Sequence, residues 1–302
     1  MSLDIDELVD RRRLKRKLTF WRVSAIVVTV ALIAIAVGRT TNLRLKPYVA
    51  RVSIDGIITE DHDEIQMLDD IAKDNNAAAL IVRINSPGGT TTGAEDLYKA
   101  LRRVAKNKPV VATMGTLAAS GGYVTALAAD HIIARETSIT GSIGVILEYA
   151  QLSGLLNKLG VDMEAVKSGA LKGEPSISRP LSDKGRAALQ SMIDDGYRWF
   201  TELVAARRKM PIDKVKALAD GRAYTGRQAL ENGLVDQLGG EEEALQWLKT
   251  KEHIPADLPV VDVEKSTKDR LLGNFLDSIW SGSVGRMRLP LDGMTAVWQP
   301  TH

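Results

Sequence analysis

Ser120 is the most chemically suggestive residue of the chain, because it lies where an apolar run gives way to a predicted helix and is followed at once by Gly121 and Gly122. A serine at such a corner can project its hydroxyl outward, while the unpaired amides of the first helical turn point to where an oxyanion would form. Glycine also lets a substrate backbone come close. The pattern is typical of a nucleophile, although small residues that merely fill a tight turn are an open alternative.

A nucleophilic serine needs a group that accepts its proton, and histidine is the usual one. The chain has only four histidines, and none lies in a glycine-rich setting. His62 belongs to an acidic run, His131 begins a predicted strand, His253 opens the C-terminal tail and His302 is the last residue. The sequence therefore disfavours a histidine-based triad.

Lysine is the other candidate base, but it must be held neutral by desolvation to accept a proton near neutral pH. Lys172 follows the small and apolar residues Gly169, Ala170 and Leu171, and Lys167 is a competitor five residues earlier. On spacing alone, ordinary loop lysines are the favoured interpretation of both. Their role is open at this point.

Two further loops could complete such a site. The segment Ser86-Pro87-Gly88-Gly89 offers glycine amides that could donate to an oxyanion together with Gly121, and losing one such donor typically costs about 3 kcal/mol. In the second loop, Thr140–Gly144, Ser142 could hydrogen-bond a neutral lysine amine and hold it in place. A plain turn remains the alternative interpretation of each loop.

The elements that must position these residues alternate between strands and helices. Alternating apolar and polar residues predict the first strand, and continuous apolar runs predict three more, which are buried. Apolar residues at helical spacing and a possible cap at Ser182 predict the helices. This regular alternation of strands and helices along the sequence implies right-handed crossovers and an α/β domain with a mainly parallel sheet. The predicted strands are Val49–Ile54, Ala79–Ile84, Val110–Met114 and His131–Ala134, the helices are Glu64–Ala72 and Ala94–Ala105, and Asn85–Gly89 is predicted as a loop.

The composition excludes several classes of protein. The 302 residues carry a net charge of only +2, so nothing indicates a nucleic-acid partner. The chain has no cysteine, which excludes disulfides, thiolate catalysis and cysteine-ligated zinc.

The N-terminus predicts a membrane anchor. A basic block at residues 11–17 precedes an apolar stretch, and residues 18–38 would span about 30 Å as a helix, which matches one hydrocarbon core. The basic block should stay cytoplasmic, so the remainder faces the other side of the membrane. A cleaved signal peptide, suggested by Ala34-Ile35-Ala36, and a buried core helix are the less favoured alternatives.

The sequence further divides into a basic N-terminus at residues 1–17, the anchor at 18–38, a catalytic domain at 47–250 and a C-terminal tail at 251–302. The tail holds several prolines and one short amphipathic piece, Leu271–Trp280. It could contact the domain, a neighbouring subunit or the membrane surface, and the sequence leaves these three possibilities open.

Taken together, the motifs resemble those of the signal peptide peptidase A family, the membrane-bound serine proteases. The resemblance runs in order from about Val49 to Leu248, and it is specific as a combination although each motif alone is not. The chain is similar to the short bacterial form with one catalytic unit. The motifs that carry the resemblance are Asn85–Gly89, Met114–Tyr123, Thr140–Val145, the Lys172 loop and Ala219–Ala229.

The resemblance implies a crotonase-like fold, shared with the Clp protease proteolytic subunit and the acyl-CoA hydratases, and a Ser–Lys dyad without a cofactor or metal. By this resemblance Ser120 is the nucleophile, Lys172 the general base, and Ser142 the residue that orients the lysine. Gly89 and Gly121 would then supply the oxyanion amides.

The resemblance also implies a homo-oligomeric ring with active sites shared between protomers, anchored on the outer face of the bacterial cytoplasmic membrane. There it would degrade remnant signal peptides and other extended hydrophobic peptides. Two alternatives are an acyl-CoA-binding enzyme of the same fold, disfavoured by the membrane segment, and a non-catalytic membrane scaffold, disfavoured by the intact Ser120 and Lys172.

Overall fold

A computed structural model describes residues 17–30, 46–265 and 295–297 of the chain. The chain divides into two compact units at the boundary between Lys46 and Pro47. In the first unit, residues 17–30 form helix α1. Among the described residues, no helix combines the length and the apolar character needed to cross a bilayer. Residues 31–38 of the predicted anchor, including the Ala34-Ile35-Ala36 site, lie outside the described residues.

The second unit contains nine strands and eight helices within the described part of the chain. The strands are β1 (Tyr48–Ile58), β2 (Ala77–Thr90), β3 (Val110–Ala119), β4 (His131–Ala134), β5 (Ile139–Gly141), β6 (Ala223–Thr225), β7 (Gln237–Leu238), β8 (Val260–Asp262) and β9 (Thr295–Val297). The helices are α2 (His62–Lys73), α3 (Thr91–Val104), α4 (Gly121–Ala126), α5 (Ser153–Lys158), α6 (Asp183–Arg208), α7 (Ile212–Leu218), α8 (Gly226–Asn232) and α9 (Glu241–Lys251).

These strands form one sheet in the order β6-β5-β3-β2-β1-β8, with β4 joined to β3 and β7, and β9 joined to β2. Every pairing is parallel except β5 with β6 and β2 with β9. The predicted alternation of strands and helices, and the mixed α/β class with a mainly parallel sheet and flanking helices, are therefore confirmed. Strand β8 shows that part of the sequence beyond residue 250 joins the sheet.

The central strands are buried on both faces, which explains their unbroken apolar runs. In β2, Leu80, Val82 and Ile84 join the larger core beneath α3 and α4, while Ala79 and Ile81 face a smaller core that α9 closes with Leu248. A continuous apolar run in the sequence is thus the signature of a strand between two helical layers.

The strand β2 is longer than the sequence predicts. It continues through Asn85–Gly89, which proline and glycine mark as a loop, and ends only at Thr90. The pairing with β1 is maintained there by a register shift between Asp55 and Ile57. The predicted loop is therefore wrong, because an irregular strand end tolerates residues that a regular interior strand excludes.

Helix α6 begins as the sequence predicts. The hydroxyl of Ser182 accepts a hydrogen bond from the Gly185 amide, and the helix then runs for 26 residues to Arg208. Phe200 and Val204 on one face of this helix are buried in the larger core. This part of the helix therefore shares the larger core with Tyr123 and Val124 of α4, the short helix that follows Ser120.

Candidate active site

Ser120 lies between the last residue of β3 and the first residue of α4 in a conformation that few residues adopt. Its φ is 54° and its ψ is −118°, and only 1% of the residue is exposed. Its amide donates to the Gly141 carbonyl at 2.8 Å, and its own carbonyl accepts from the Tyr123 and Val124 amides, both at 2.9 Å. A strained serine held by hydrogen bonds on both sides is typical of a nucleophile at a strand-to-helix corner.

The glycines after Ser120 bring α4 against the end of β2. A Cβ placed on Gly121 would lie 3.2 Å from both the Gly88 Cα and the Gly89 nitrogen, and a Cβ on Gly122 would lie 2.8 Å from the Ser86 carbonyl oxygen. Larger side chains would separate the two segments. The structure thus brings Gly89 and Gly121, the two predicted oxyanion donors, into close proximity beside Ser120.

The end of β2 is ordered by its own side chains. The Ser86 hydroxyl accepts from the Gly88 amide at 3.0 Å, and Gly88 has a φ of 103°, which favours glycine. Gly89 approaches β1 so closely that an added Cβ would lie 1.7 Å from the Ile58 carbonyl oxygen. These contacts fix where the Gly89 amide lies relative to Ser120.

Ser142 is joined to the nucleophile through the backbone. It follows Gly141, whose carbonyl binds the Ser120 amide, and its own amide donates to the Arg222 carbonyl at 2.9 Å. Gly141 and Ser142 both have a positive φ, and Ser142 is 8% exposed. The predicted lysine-orienting serine therefore lies next to the site in a fixed conformation.

Lys172, by contrast, is exposed and shares no hydrogen bond with Ser120 in the described part of the chain. It belongs to a turn in which its amide donates to the Gly169 carbonyl at 3.1 Å. Lys167 is half-buried, and its Nζ would lie 4.0 Å from a Cβ on Gly173. Within one chain the structure does not bring the predicted base to the predicted nucleophile, so the assignment of Lys172 stays a prediction.

The segment 146–177 carries an unusual number of exposed apolar side chains around the lysine turn. None of the residues of α5 is buried. Soluble proteins seldom leave so much apolar surface open unless it meets a partner. The exposed large residues are Ile146, Tyr149, Leu152, Leu155, Leu159, Val161, Met163, Val166, Leu171 and Ile177.

No described histidine shares a hydrogen bond with Ser120. His131 hydrogen-bonds Gln237 at 3.0 Å and stacks on Trp247 with the ring centroids 4.9 Å apart. His62 is the first residue of α2 and is exposed, and His253 is also exposed. His131 thus makes packing and hydrogen-bond contacts at the start of β4, while His302 lies outside the described residues.

The last part of β2 has an open edge next to Ser120, which the sequence did not reveal. Strand β3 pairs with β2 only as far as Ser86, opposite Ala118, before it turns into the corner. Beyond that point β9 runs antiparallel along the same edge and pairs with Gly88, Gly89 and Thr90. The edge therefore accepts an extended strand beside the two glycines that meet near the nucleophile.

Glu60 is a second residue that the sequence did not single out. Its carboxylate accepts hydrogen bonds from the hydroxyls of Thr90 and Thr92, where β2 passes into α3. The hydrogen bond from Thr92 is the main reason why the pKa of Glu60 lies below its ordinary value. A negative charge thus stands at the far end of the open edge, and no local sequence pattern marks it because Glu60 is 30 residues from Thr90 in the sequence.

Comparison with known proteins identifies the family that this chain resembles. The sequence profile of Peptidase family S49 matches residues 102–254. A Synechocystis sp. protein named "Putative protease slr0021" is 45% identical over 190 residues, covering 63% of this chain and 69% of that protein. The "Putative signal peptide peptidase SppA" of Enterococcus faecium is 36% identical over 251 residues, covering 78% of this chain and 72% of that protein.

A solved structure shows that the fold also recurs. A mutant of the 1510-N membrane-bound stomatin-specific protease superposes with a TM-score of 0.50 at 18% identity, covering 73% of this chain and 99% of that one. The matched profile includes Ser120, Ser142 and Lys172. The family favours a peptidase over the acyl-CoA enzyme and the scaffold considered from the sequence. The chain belongs to peptidase family S49, the signal peptide peptidase A family of serine-type proteases.

Proposed function

We propose that this chain is a membrane-anchored serine endopeptidase that uses a Ser–Lys dyad, with Ser120 as the nucleophile and Lys172 as the general base. The observation that carries the proposal is the corner at Ser120, where a strained, buried serine meets the closely approaching Gly121 and Gly89. Its fold would be the crotonase-like fold that the sequence resemblance implies.

In this mechanism the neutral amine of Lys172 accepts the Ser120 proton while the hydroxyl oxygen attacks a peptide carbonyl. The amides of Gly89 and Gly121 stabilise the oxyanion that develops. The protonated lysine then gives its proton to the leaving amine. Water repeats the attack on the acyl-enzyme with the lysine again as the base, which restores both residues. Ser142 would hold the lysine amine by a hydrogen bond.

A second copy of the chain supplies the lysine in this proposal. Lys172 is exposed in a single chain and lies within the apolar 146–177 segment, so burying that segment against a neighbouring copy would also desolvate the amine. Desolvation favours the neutral form that a base requires. The ring-like oligomer expected from the family provides such contacts, and an isolated chain should be inactive.

The direct test is labelling of the detergent-extracted full chain with a fluorophosphonate probe, alongside hydrolysis of a fluorogenic hydrophobic peptide. Ser120→Ala should abolish labelling and hydrolysis, and Lys172→Ala should abolish hydrolysis, each without a change in melting temperature. Lys167→Ala is the matched control and should retain activity. Activity in Lys172→Ala together with its loss in Lys167→Ala would transfer the base to Lys167.

Subunit mixing tests whether the dyad is shared. Co-expressed Ser120→Ala and Lys172→Ala chains, each inactive alone, should together regain about one quarter of the wild-type activity, because random mixing pairs an intact serine with a neighbour's intact lysine at that frequency. No recovery in mixed oligomers of native mass would contradict a dyad that crosses the interface.

The proposed substrates are remnant signal peptides and other extended hydrophobic segments on the periplasmic side of the bacterial cytoplasmic membrane. The support is the basic block at residues 11–17 and the apolar stretch that follows it. The full chain should remain in alkali-washed membranes, and protease added to spheroplasts should degrade its catalytic domain. A full-length chain released by the wash would refute the anchor.

A further inference from the structure

A polar cavity of about 200 Å³ lies at the end of the sheet where the parallel strands β3 and β4 begin. Asp130, which lines it, donates its amide to the carbonyl of Val110, the first residue of β3. Ser120 follows the last residue of the same strand, so the cavity lies outside the catalytic corner. The charged residues that line the cavity are Asp130, Arg207, Arg208, Lys209 and Asp236.

Both carboxylates of this lining already have a cationic partner. The Arg208 guanidinium donates to the two carboxylate oxygens of Asp236 at 2.5 Å and 3.1 Å. Arg102 of helix α3 donates to the Asp130 carboxylate at 3.1 Å. Neither carboxylate is therefore left to compensate a further cation of the lining.

Arg207 is a cation of the lining that has no ion pair in the described part of the chain. Its Nε donates to the Leu127 carbonyl at 2.7 Å and its Nη2 to the Ala129 carbonyl at 2.8 Å, and neither neutral acceptor compensates its charge. Burial removes water from the guanidinium and Arg102 lies nearby, so the pKa of Arg207 lies below its ordinary value. A bound anion would relieve both costs by a charge-assisted hydrogen bond.

Lys209, the second uncompensated cation of the lining, has a backbone conformation that favours glycine. It ends helix α6 with a φ of 52° and a ψ of 42°, a position where most helices place glycine. A lysine there destabilises the folded state relative to glycine, and strained residues cluster at functional sites. Lys209 lines the same cavity as Arg207, so the strained residue also supplies a charge to that cavity.

We propose that this cavity binds a phosphate-type anion through Arg207 and Lys209. A guanidinium presents planar donors that match phosphate oxygens, and an ammonium adds a compact charge. The strand β1 begins at the same end of the sheet, because β1, β2 and β3 pair in parallel. The proposed membrane anchor precedes β1 in the sequence, so the phosphate group has two sources, a lipid headgroup and free phosphate in solution. The site does not depend on the chemistry proposed for Ser120.

The first experiment measures the melting temperature of the full chain in a non-ionic detergent as sodium phosphate is added. Sodium chloride at the same ionic strength is the comparison. A ligand that binds only the folded state raises its stability, so an affinity of about 1 mM predicts a rise of roughly 4–7 °C at about 20 mM phosphate. Isothermal titration calorimetry with inorganic phosphate should show a single site per chain.

Replacing Lys209 by glycine separates binding from stability. Without phosphate, Lys209→Gly should melt roughly 2–4 °C above the wild type, because glycine removes the backbone strain. A tenfold weaker affinity should reduce its phosphate shift to roughly 1–3 °C. Arg207→Gln should lose the shift in the same way, while Lys209→Arg, which retains the charge, should keep it. Lys184→Ala, in the first turn of the same helix, is the matched control and should respond like the wild type.

A lipid arm distinguishes the two sources of the phosphate group. The wild type and Lys209→Gly are melted in mixed micelles that contain either phosphatidylglycerol or phosphatidylcholine. A stabilisation by phosphatidylglycerol that Lys209→Gly loses assigns the ligand to a headgroup, whereas a response to inorganic phosphate alone assigns it to the free anion. Equal phosphate shifts in the wild type, Lys209→Gly and Arg207→Gln, or no shift with either probe, would overturn the inference. No readout requires peptide hydrolysis, so this failure leaves the proposed function intact.

Discussion

Replacing Gly89 by alanine tests whether the site depends on the close approach of β2 to β1. The new Cβ would lie 1.7 Å from the Ile58 carbonyl oxygen and 2.5 Å from its carbonyl carbon. Ordinary carbon–oxygen contacts are about 3.3 Å, so the two strands must separate by roughly 1.5 Å. Backbone atoms cannot rotate away as a flexible side chain would. The β1–β2 pairing at Ile58 and Gly89 therefore has to open.

A displacement of this size exceeds the tolerance of about 0.5 Å within which catalytic groups work. If the Gly89 amide is an oxyanion donor, its loss costs about 3 kcal/mol, which lowers kcat/KM by a factor of about 100 or more. Overpacking also costs about 1–3 kcal/mol of stability. The folded variant should therefore remain measurable, with a lowered melting temperature and greatly reduced peptide hydrolysis.

The matched control is Gly144→Ala, in the loop that contains Ser142. Its added Cβ would meet nothing closer than the Gly221 Cα at 3.6 Å, an ordinary contact. This variant should stay within about twofold of the wild-type kcat/KM. A folded Gly89→Ala protein that retains kcat/KM within about threefold of the wild type would refute the reasoning, because it would show that the Gly89 amide can move without consequence.

Three further variants probe stability and assembly. Burial would raise the pKa of Asp236, but hydrogen bonds from Arg208 outweigh it and hold that pKa below the ordinary 3.8. The ionised Asp236 therefore contributes its full stabilisation of the folded state at neutral pH, and this stabilisation disappears as the pH falls through the lowered pKa. Asp236→Asn should cost about 2 kcal/mol, or about 4–8 °C of melting temperature at pH 7, and the difference should shrink near pH 2. Tyr123→Phe should cost about 1–2 kcal/mol by calorimetry, because it leaves the buried Leu234 carbonyl without its 2.8 Å partner. Leu155→Asp, at an exposed apolar position, should reduce the native mass and the hydrolysis while the melting temperature changes little.

The parts of the fold that the sequence predicts well are those whose local pattern and burial agree. His131–Ala134 has the predicted boundaries, and Ser182 caps α6 as expected, because a short apolar run and a serine cap each depend on few neighbours. The end of β2 could not be predicted, because its proline and glycines indicate a local turn and carry no information about the pairing with β1. The register shift after Asp55 depends on contacts distant in sequence.

The candidate site divides in the same way. Ser120, Gly121, Gly89 and Ser142 could be selected from their motifs, because corners and glycine loops are local features. Their proximity in space depends on close backbone approaches such as that of Gly121 to Gly88, and the spacing of residues in the sequence does not reveal such approaches. The small and apolar residues before Lys172 make it a candidate, but only resemblance to the family selects it over Lys167, because its exposed turn gives a single chain no environment that would distinguish it.

The open edge of β2 has a consequence for what this protein can distinguish. Main-chain amides and carbonyls are the same in every residue except proline. An edge that binds them therefore recognises the extended conformation of a polypeptide and depends little on its amino-acid sequence. A folded protein has already satisfied those groups internally and presents none to the edge. If substrates bind along this edge as proposed, the cleft distinguishes an extended, unfolded chain from a folded protein through the three backbone positions Gly88–Thr90.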